Sequence, residues 1–322
     1  MKSKNDKESI IRIGISSCLL GEKVRYDSGH KLDRYITDVL GKYFSFVPVC
    51  PEVEVGMGVP REPVHLAGDE KAPRMVGNTS GEDWTDRMIK FRENRLRQLE
   101  KYELSGYILK KDSPSCGMER VKIYKGSGAP SKAARGLWGG ALVDHFPPLP
   151  IEEEGRLNDH RLRENFIVRV FAYNDLLKLF KPTFNRNKIV EFHTRYKFLM
   201  LAHSPKHYRA LGQMVASIKK YKPAAFAENY GRAFMDGLKI MTTTRKNVNV
   251  LMHMLGYLKK NLDRDVKADI LGTIEDYHKE LVPLVVPLTL LKHYINKYDI
   301  QYIKDQVYLN PHPRELMLRN HV

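Results

Sequence analysis

Cysteine is scarce in this chain, with three thiols in 322 residues. An odd number of scattered cysteines, with no Cys-x-x-Cys pair, excludes a disulfide framework and a compact redox motif. Long apolar runs are also missing. The longest candidates, such as residues 281–291, are too short to span a bilayer and contain Pro283 and Pro287, which excludes a membrane-spanning helix. The first nine residues are charged with no apolar core behind them, so no secretory signal is read there and a cytoplasmic protein is expected. There is no low-complexity tract and no fixed-period repeat, which excludes a solenoid.

What the chain has in excess is positive charge. It carries 54 Lys and Arg against 38 Asp and Glu, a net charge of +16. Residues 181–322 hold 24 of the basic and 12 of the acidic residues, so +12 of the excess lies there. A basic half draws a polyanion, either nucleic acid or an acidic membrane surface, although a generally basic surface reads the same way.

Periodicity divides the chain. Residues 11–15, 44–49, 107–109 and 121–124 are short β-type runs, and residues 32–43, 83–102 and 137–146 carry helical spacing. This alternation predicts an α/β domain, a parallel sheet covered by helices, over residues 1–147. Pro147-Pro148-Leu149-Pro150 ends it. Glu152-Glu153-Glu154 is expected to open a helix, with acids where the helix dipole favours them, and residues 148–185 to form a helical connection. Residues 186–322 read as helix throughout and predict an all-α domain.

Each cysteine follows a predicted strand: Cys18 after 11–15, Cys50 after 44–49, Cys116 after 107–109. Ligands of open parallel sheets sit beyond the carboxyl ends of the strands, so three loops leaving one edge can bring three distant thiols together. Soft sulfur ligands suit zinc and iron–sulfur clusters alike. Zinc needs a fourth ligand, for which His30, His65 and His145 are candidates, whereas a four-iron cluster on three cysteines keeps one iron open. Buried structural cysteines are the plain alternative. Glu52 stands two residues after Cys50 and is a candidate general acid or base, or else a helix cap or a partner of Arg61. Ser113 could orient water or substrate, or serve as a turn residue before Pro114.

The segments Ser16-Ser17-Cys18-Leu19-Leu20-Gly21, Val24-Arg25-Tyr26-Asp27, Val49-Cys50-Pro51-Glu52, Gly56-Met57-Gly58-Val59-Pro60-Arg61 and Ser113-Pro114-Ser115-Cys116-Gly117 resemble the thiouracil desulfidase family, in order, over about residues 10–146. The resemblance implies a Rossmann-like fold and a [4Fe–4S] cluster on Cys18, Cys50 and Cys116. It also implies chemistry by the carboxylate of Glu52 and the hydroxyl of Ser113. Arg195-Tyr196-Lys197-Phe198-Leu199, Ala202-His203-Ser204-Pro205, Tyr208-Arg209-Ala210-Leu211-Gly212, Asn249-Val250-Leu251-Met252-His253 and Pro311-His312-Pro313-Arg314-Glu315-Leu316 look like the helical domain often fused behind such desulfidases. The fused form resembles tRNA thiouridine desulfidases, which implies tRNA carrying a thiolated uridine as partner. Arg195, Lys197 and Arg209 are the expected phosphate-gripping residues. His203 and His207 are at helical spacing for a metal, but Ser204-Pro205 interrupts the helix between them. Two competing classes remain: an iron–sulfur redox sensor that binds nucleic acid, and a zinc-stabilised RNA-binding protein without catalysis.

Overall fold

The computed structural model describes residues 11–126 and 128–320; the charged start at residues 1–9 lies outside them. The chain forms two compact units that divide between Asp159 and His160.

The strands of the first unit are β1 (Ile11–Ser16), β2 (Phe44–Val49), β3 (Val64–Gly68), β4 (Pro73–Gly77), β5 (Gly106–Leu109), β6 (Val121–Tyr124), β7 (Ser131–Ala134) and β8 (Ile151–Glu153). Its helices are α1 (Pro51–Glu54), α2 (Thr85–Glu100) and α3 (Leu137–His145). Four strands make a parallel sheet in the order β2-β1-β5-β8, the α/β architecture expected. Register fixes where its edge falls: Ser16 pairs with Val49, and Ile15 with Ile108. The three strands that precede the cysteines therefore end at one level. The chain leaves β1 towards β2 and then crosses to β5 on the other side, so β1 and β5 flank the topological switch point where ligands of such sheets bind. Ile13, Ile15, Val49, Tyr107, Ile108 and Leu109 are fully buried beneath this edge.

Three features differ from the sequence expectation. Residues 32–43 form a π-type turn at Tyr35–Val39 followed by a 3-10 turn at Leu40–Lys42. The β-branched Ile36, Thr37 and Val39 and the flexible Gly41 weaken regular α-helix there. A second sheet, in the order β4-β3-β6-β7, was legible only at β6, because its other strands are short, half-exposed and rich in Gly, Pro and Ala. Glu152 and Glu153, expected to open a helix, lie in β8, the edge strand beside β5. Their carboxylates have better partners there: Glu152 accepts from Arg156 Nε at 2.6 Å, and Glu153 from the Met118 N–H at 2.8 Å. The expected connection over 148–185 is thus shared, β8 belonging to the first unit and α4 (His160–Leu179) to the second.

The second unit is helical: α4, α5 (Arg186–His203), α6 (Pro205–Ala216), α7 (Pro223–Lys239), α8 (Thr244–Leu258), α9 (Arg264–His278), α10 (Val285–Lys297) and the short α11 (Gln301–Lys304). Ser204 ends α5 and caps α6, accepting from the His207 N–H at 3.3 Å, with Pro205 at the first helical position. Asn185, Thr243 and Asp263 cap α5, α8 and α9. The core is an aromatic ladder on α7, Phe226, Tyr230 and Phe234, stacked at 5.3 and 6.2 Å and met by Phe192 of α5. Among the described residues no helix is long and apolar enough to cross a membrane.

Candidate active site

Cys18, Cys50 and Cys116 line one pocket of about 180 Å³ at the carboxyl edge of the parallel sheet. Cys18 sits in the 3-10 turn after β1, and Cys50 is the residue before α1. Cys116 comes from the loop after β5, which is fastened on both sides. Its carbonyls accept the first N–H groups of α3: Leu137 N–H to Pro114 at 3.1 Å, and Trp138 and Gly139 N–H to Ser115 at 3.0 Å. A β-carbon on Gly139 would collide with the Cys116 carbonyl, and one on Gly136 with the Ser115 carbonyl, so only glycine permits this approach. On the other side Glu154 accepts from the Lys111 N–H at 2.7 Å and from Lys110 Nζ at 2.5 Å. Cys50 is held through its own N–H, donated to Glu54 at 3.1 Å, and Glu54 is paired with Arg95 of α2 at 3.0 Å.

Burial raises the Cys18 thiol to about 11, and the neighbouring Cys50 adds to it. Burial also raises Cys50, with Glu52 adding. Cys116 is pushed furthest, by burial first and then by Cys18, Glu52 and Cys50, against a hydrogen bond from Ser16. Three thiolates close together in a low-dielectric pocket repel one another, and a cationic centre among them would remove that penalty. Among the described residues no three His, Cys, Asp or Glu side chains gather tightly enough to hold a single metal ion. None of the three histidines considered as a fourth ligand lines the pocket. His30 accepts from the Leu32 N–H, His65 meets Asn78 and His145 meets Glu100.

Glu52 lines the same pocket and is fixed through both oxygens. Arg61 reaches Oε2 through Nε at 3.1 Å and Nη2 at 2.5 Å, and the Ser115 hydroxyl donates to Oε1 at 2.7 Å. Arg61 is tied in turn to the carbonyls of Val24 and Gly58 at 3.0 and 2.9 Å. Both readings of Glu52 therefore meet in one side chain, which faces the pocket and pairs with Arg61. Ser113 also lines the pocket, but its oxygen accepts from the N–H groups of Ser115 and Cys116 at 3.2 and 3.1 Å. That is the turn role, and it leaves the hydroxyl proton available. The serine bonded to Glu52 is Ser115, fully buried, which residue spacing did not single out because it differs from Ser113 only in where the turn points it. Tyr26 is at the pocket wall, 39% exposed, with the Arg25 guanidinium 5.3 Å from its ring centre.

The expected phosphate contacts belong to the helical unit. Arg195 and Arg209 are exposed. Lys197 is not a free cation: its ammonium lies 3.6 Å from the Tyr302 ring centre and 5.0 Å from that of Phe198. His203 and His207 do not converge, since His203 Nδ1 meets the Ile240 carbonyl at 2.8 Å and His207 Nδ1 meets the Ser204 hydroxyl at 2.8 Å.

A family model described as 2-thiouracil desulfurase matches residues 13–154, and one for a protein of unknown function, DUF1722, matches residues 197–313. The uncharacterized protein YbgA of Escherichia coli is 30% identical over 165 residues, covering 51% of this chain and 98% of its own. The uncharacterized protein YbbK of Bacillus subtilis is 32% identical over 108 residues, covering 32% of this chain and 71% of its own. A solved structure of the [4Fe–4S]-dependent thiouracil desulfidase TudS is 31% identical, with a TM-score of 0.38, covering 46% of this chain and 93% of that one.

Proposed function

Since the chain belongs to the 2-thiouracil desulfurase family through residues 13–154, we propose that it holds a [4Fe–4S] cluster on Cys18, Cys50 and Cys116 and replaces sulfur by oxygen in a thiolated uridine of tRNA, 4-thiouridine first among them. The observation that carries this reading is the convergence of three strand-end thiols on one pocket wall with a fixed carboxylate. The donor set fits the cofactor: three soft ligands, no fourth on the wall, and a pocket in which thiolates need a cationic centre. Bound this way, the cluster supplies one iron with an open position, a sulfur-seeking Lewis acid.

The rest is the work of this chain's side chains. The net change is hydrolytic: C=S and water become C=O and hydrogen sulfide, with no electrons exchanged. Each Glu52 oxygen keeps a free lone pair beyond its bonds to Arg61 and Ser115, so the carboxylate can take the proton of the attacking water and return it to the departing sulfur. Arg61 balances its charge and Ser115 fixes its rotation. Ser113 keeps its proton for the substrate or the water. Tyr26 offers a ring face to the base. In the helical unit, exposed Arg195 and Arg209 and the net charge of +12 over residues 181–322 support a grip on tRNA phosphates, while Lys197 is committed to the Tyr302 ring.

The test has two arms. After anaerobic purification, iron and acid-labile sulfide near four per chain are expected, with sulfide released from thiouridine. Zinc in place of iron would overturn the cofactor reading. Nucleoside analysis of tRNA incubated with the protein should show thiouridine replaced by uridine, and binding of tRNA should weaken with salt at a log–log slope of about −0.7 per single-strand phosphate contact. Action on free thiouracil alone, with flat salt dependence, would overturn the tRNA assignment.

A further inference from the structure

Cations on the wall of the cysteine pocket are mostly bonded to protein. Arg61 is spent on Glu52 and on the carbonyls of Val24 and Gly58. Lys110 Nζ meets Glu154 at 2.5 Å and the Lys111 carbonyl at 3.1 Å. Arg25 lines the same pocket and is held differently. Its Nε is closed to solvent and has no hydrogen-bond partner. Its ion pair with Asp27 is long, at 3.7 Å, beyond hydrogen-bond reach. The Asp27 oxygen concerned already accepts from the Gly29 N–H at 3.0 Å. The guanidinium also lies 5.3 Å from the Tyr26 ring centre, a contact that uses the ring face and leaves N–H groups unspent.

The backbone beneath this side chain is fixed. The Arg25 N–H donates to the Gly29 carbonyl at 3.3 Å, and the Arg25 carbonyl accepts from the Ser28 N–H at 3.0 Å, which closes a turn. The preceding Val24 carbonyl takes two bonds from Arg61, both at 3.0 Å. The Arg25 side chain is 22% exposed, so it is neither free in water nor sealed in a core. Its charge reaches Cys18, whose thiol it draws down against the rise caused by burial and by Cys50.

A cation placed this way can serve an anion or a neutral acceptor. Glu52 on the same wall disfavours an anion. The pocket volume of about 180 Å³ lies below the roughly 300–1,000 Å³ of drug-sized ligands, the scale of a single base and not of a nucleotide. A thiolated uracil carries one C=S and, two ring positions away, one C=O. That neutral carbonyl is the acceptor that an underused guanidinium lacks.

We propose that Arg25 donates to the carbonyl oxygen of the thiolated uracil ring and so determines that the C=S group, and not the C=O group, is turned towards the cysteines. The inference rests on the desulfurase reading for the identity of the base. It gives Arg25 a part in recognition and none in proton transfer.

The test is a ligand–residue cycle on the full chain, purified anaerobically and assayed for iron. Uracil and pyrimidin-4-one, which lacks the second carbonyl oxygen, are titrated calorimetrically into the wild type and Arg25→Met, so no turnover is needed. The wild type should prefer uracil roughly 10–100-fold, the range for a hydrogen bond to a charged group, and Arg25→Met should bind the two alike. Arg25→Lys keeps the charge and loses the planar fork, and its preference should fall between. A merely structural role would weaken both ligands equally and leave the preference in place. With 4-thiouracil and pyrimidine-4-thione the same cycle should appear mainly in KM and less in kcat. The proposal is overturned if the uracil preference survives in Arg25→Met, or if the wild type binds no uracil at millimolar concentration. Loss of iron from both Arg25 variants also overturns it, since Arg25 would then support the cysteine turns. Should the wild type bind uracil but release no sulfide from any thiolated base, the desulfurase reading fails, while the calorimetric cycle still decides the role of Arg25.

Discussion

The α/β unit gathers its bonded polar groups around the cysteine pocket, whereas the polar residues expected to act in the helical unit lie on its surface. In the first, buried or half-buried side chains such as Glu52, Arg61, Ser115, Glu153 and Glu154 all bond to the loops around one pocket, at 2.5–3.1 Å. In the second, an aromatic ladder fills the core, buried polar groups such as Asn247 and Arg319 bond to their neighbours inside it, and exposed cations such as Arg195 and Arg209 are spread over the surface. A site that depends on a few mutually dependent bonds fails as a whole when one is removed. A surface that depends on many weak contacts loses function in steps. The same chain therefore offers two regimes of sensitivity to substitution.

The sharpest way to draw that contrast is Cys116→Ser. It should remove most bound iron and all sulfide release while leaving the far-ultraviolet circular dichroism unchanged; a variant that keeps iron and turnover would end the cluster assignment. Next in size is Glu52→Gln. It should keep the iron and lower turnover by about 10²–10⁴-fold, the range for a positioned general acid or base, and wild-type rates would make Glu52 a structural partner of Arg61 alone. Acid should act on the other unit first. His193 and His203 are each held at about 4 by burial, the former also by Lys197, against about 6.5 when unfolded. The unfolded chain then binds more protons between these values, so stability is full above pH 6.5 and falls as the pH drops towards 4, by up to roughly 3 kcal/mol for each group. Helical signal followed by circular dichroism should be lost over this window, and His203→Leu, if folded, should shrink the loss. The smallest effects come from two glycines. Gly139→Ala forces a β-carbon onto the Cys116 carbonyl and should cost about 1–3 kcal/mol together with iron content. Gly256→Ala in α8 meets nothing within 4 Å and should stabilise the chain by about 0.5–1 kcal/mol. Thermal melts that rank these two the other way would erase the contrast.

The parallel sheet and the gathering of the cysteines were legible because β1, β2 and β5 carry strong apolar signals and because a parallel sheet sends all its loops from one edge. The helices of the second unit were legible from periodicity, with boundaries displaced by a few residues. What could not be read depends on contacts between distant segments. The residues Glu152 and Glu153 have the composition of a helix start, and only the backbone N–H groups and cations that face them after folding make a strand the better state. Two serines flank Pro114, and only the direction of the turn decides that Ser115 meets Glu52 while Ser113 closes the loop. Lys197 reads as a phosphate contact until Tyr302, 105 positions later, comes to lie beneath it. The second sheet has too little apolar alternation to be seen strand by strand.

The double fastening of the Cys116 loop bears on how the proposed cluster would be acquired. Protein–protein bonds to α3 on one side and to Glu153 and Glu154 on the other hold the loop without any metal. For the proposed cluster, one arm of the chelate would therefore be ordered by folding, and the conformational entropy of ordering it would be lost then and not at loading. Were a cluster bound there and then lost, these bonds would keep the loop shaped, and iron and sulfide should be restorable to the same chain without a round of refolding.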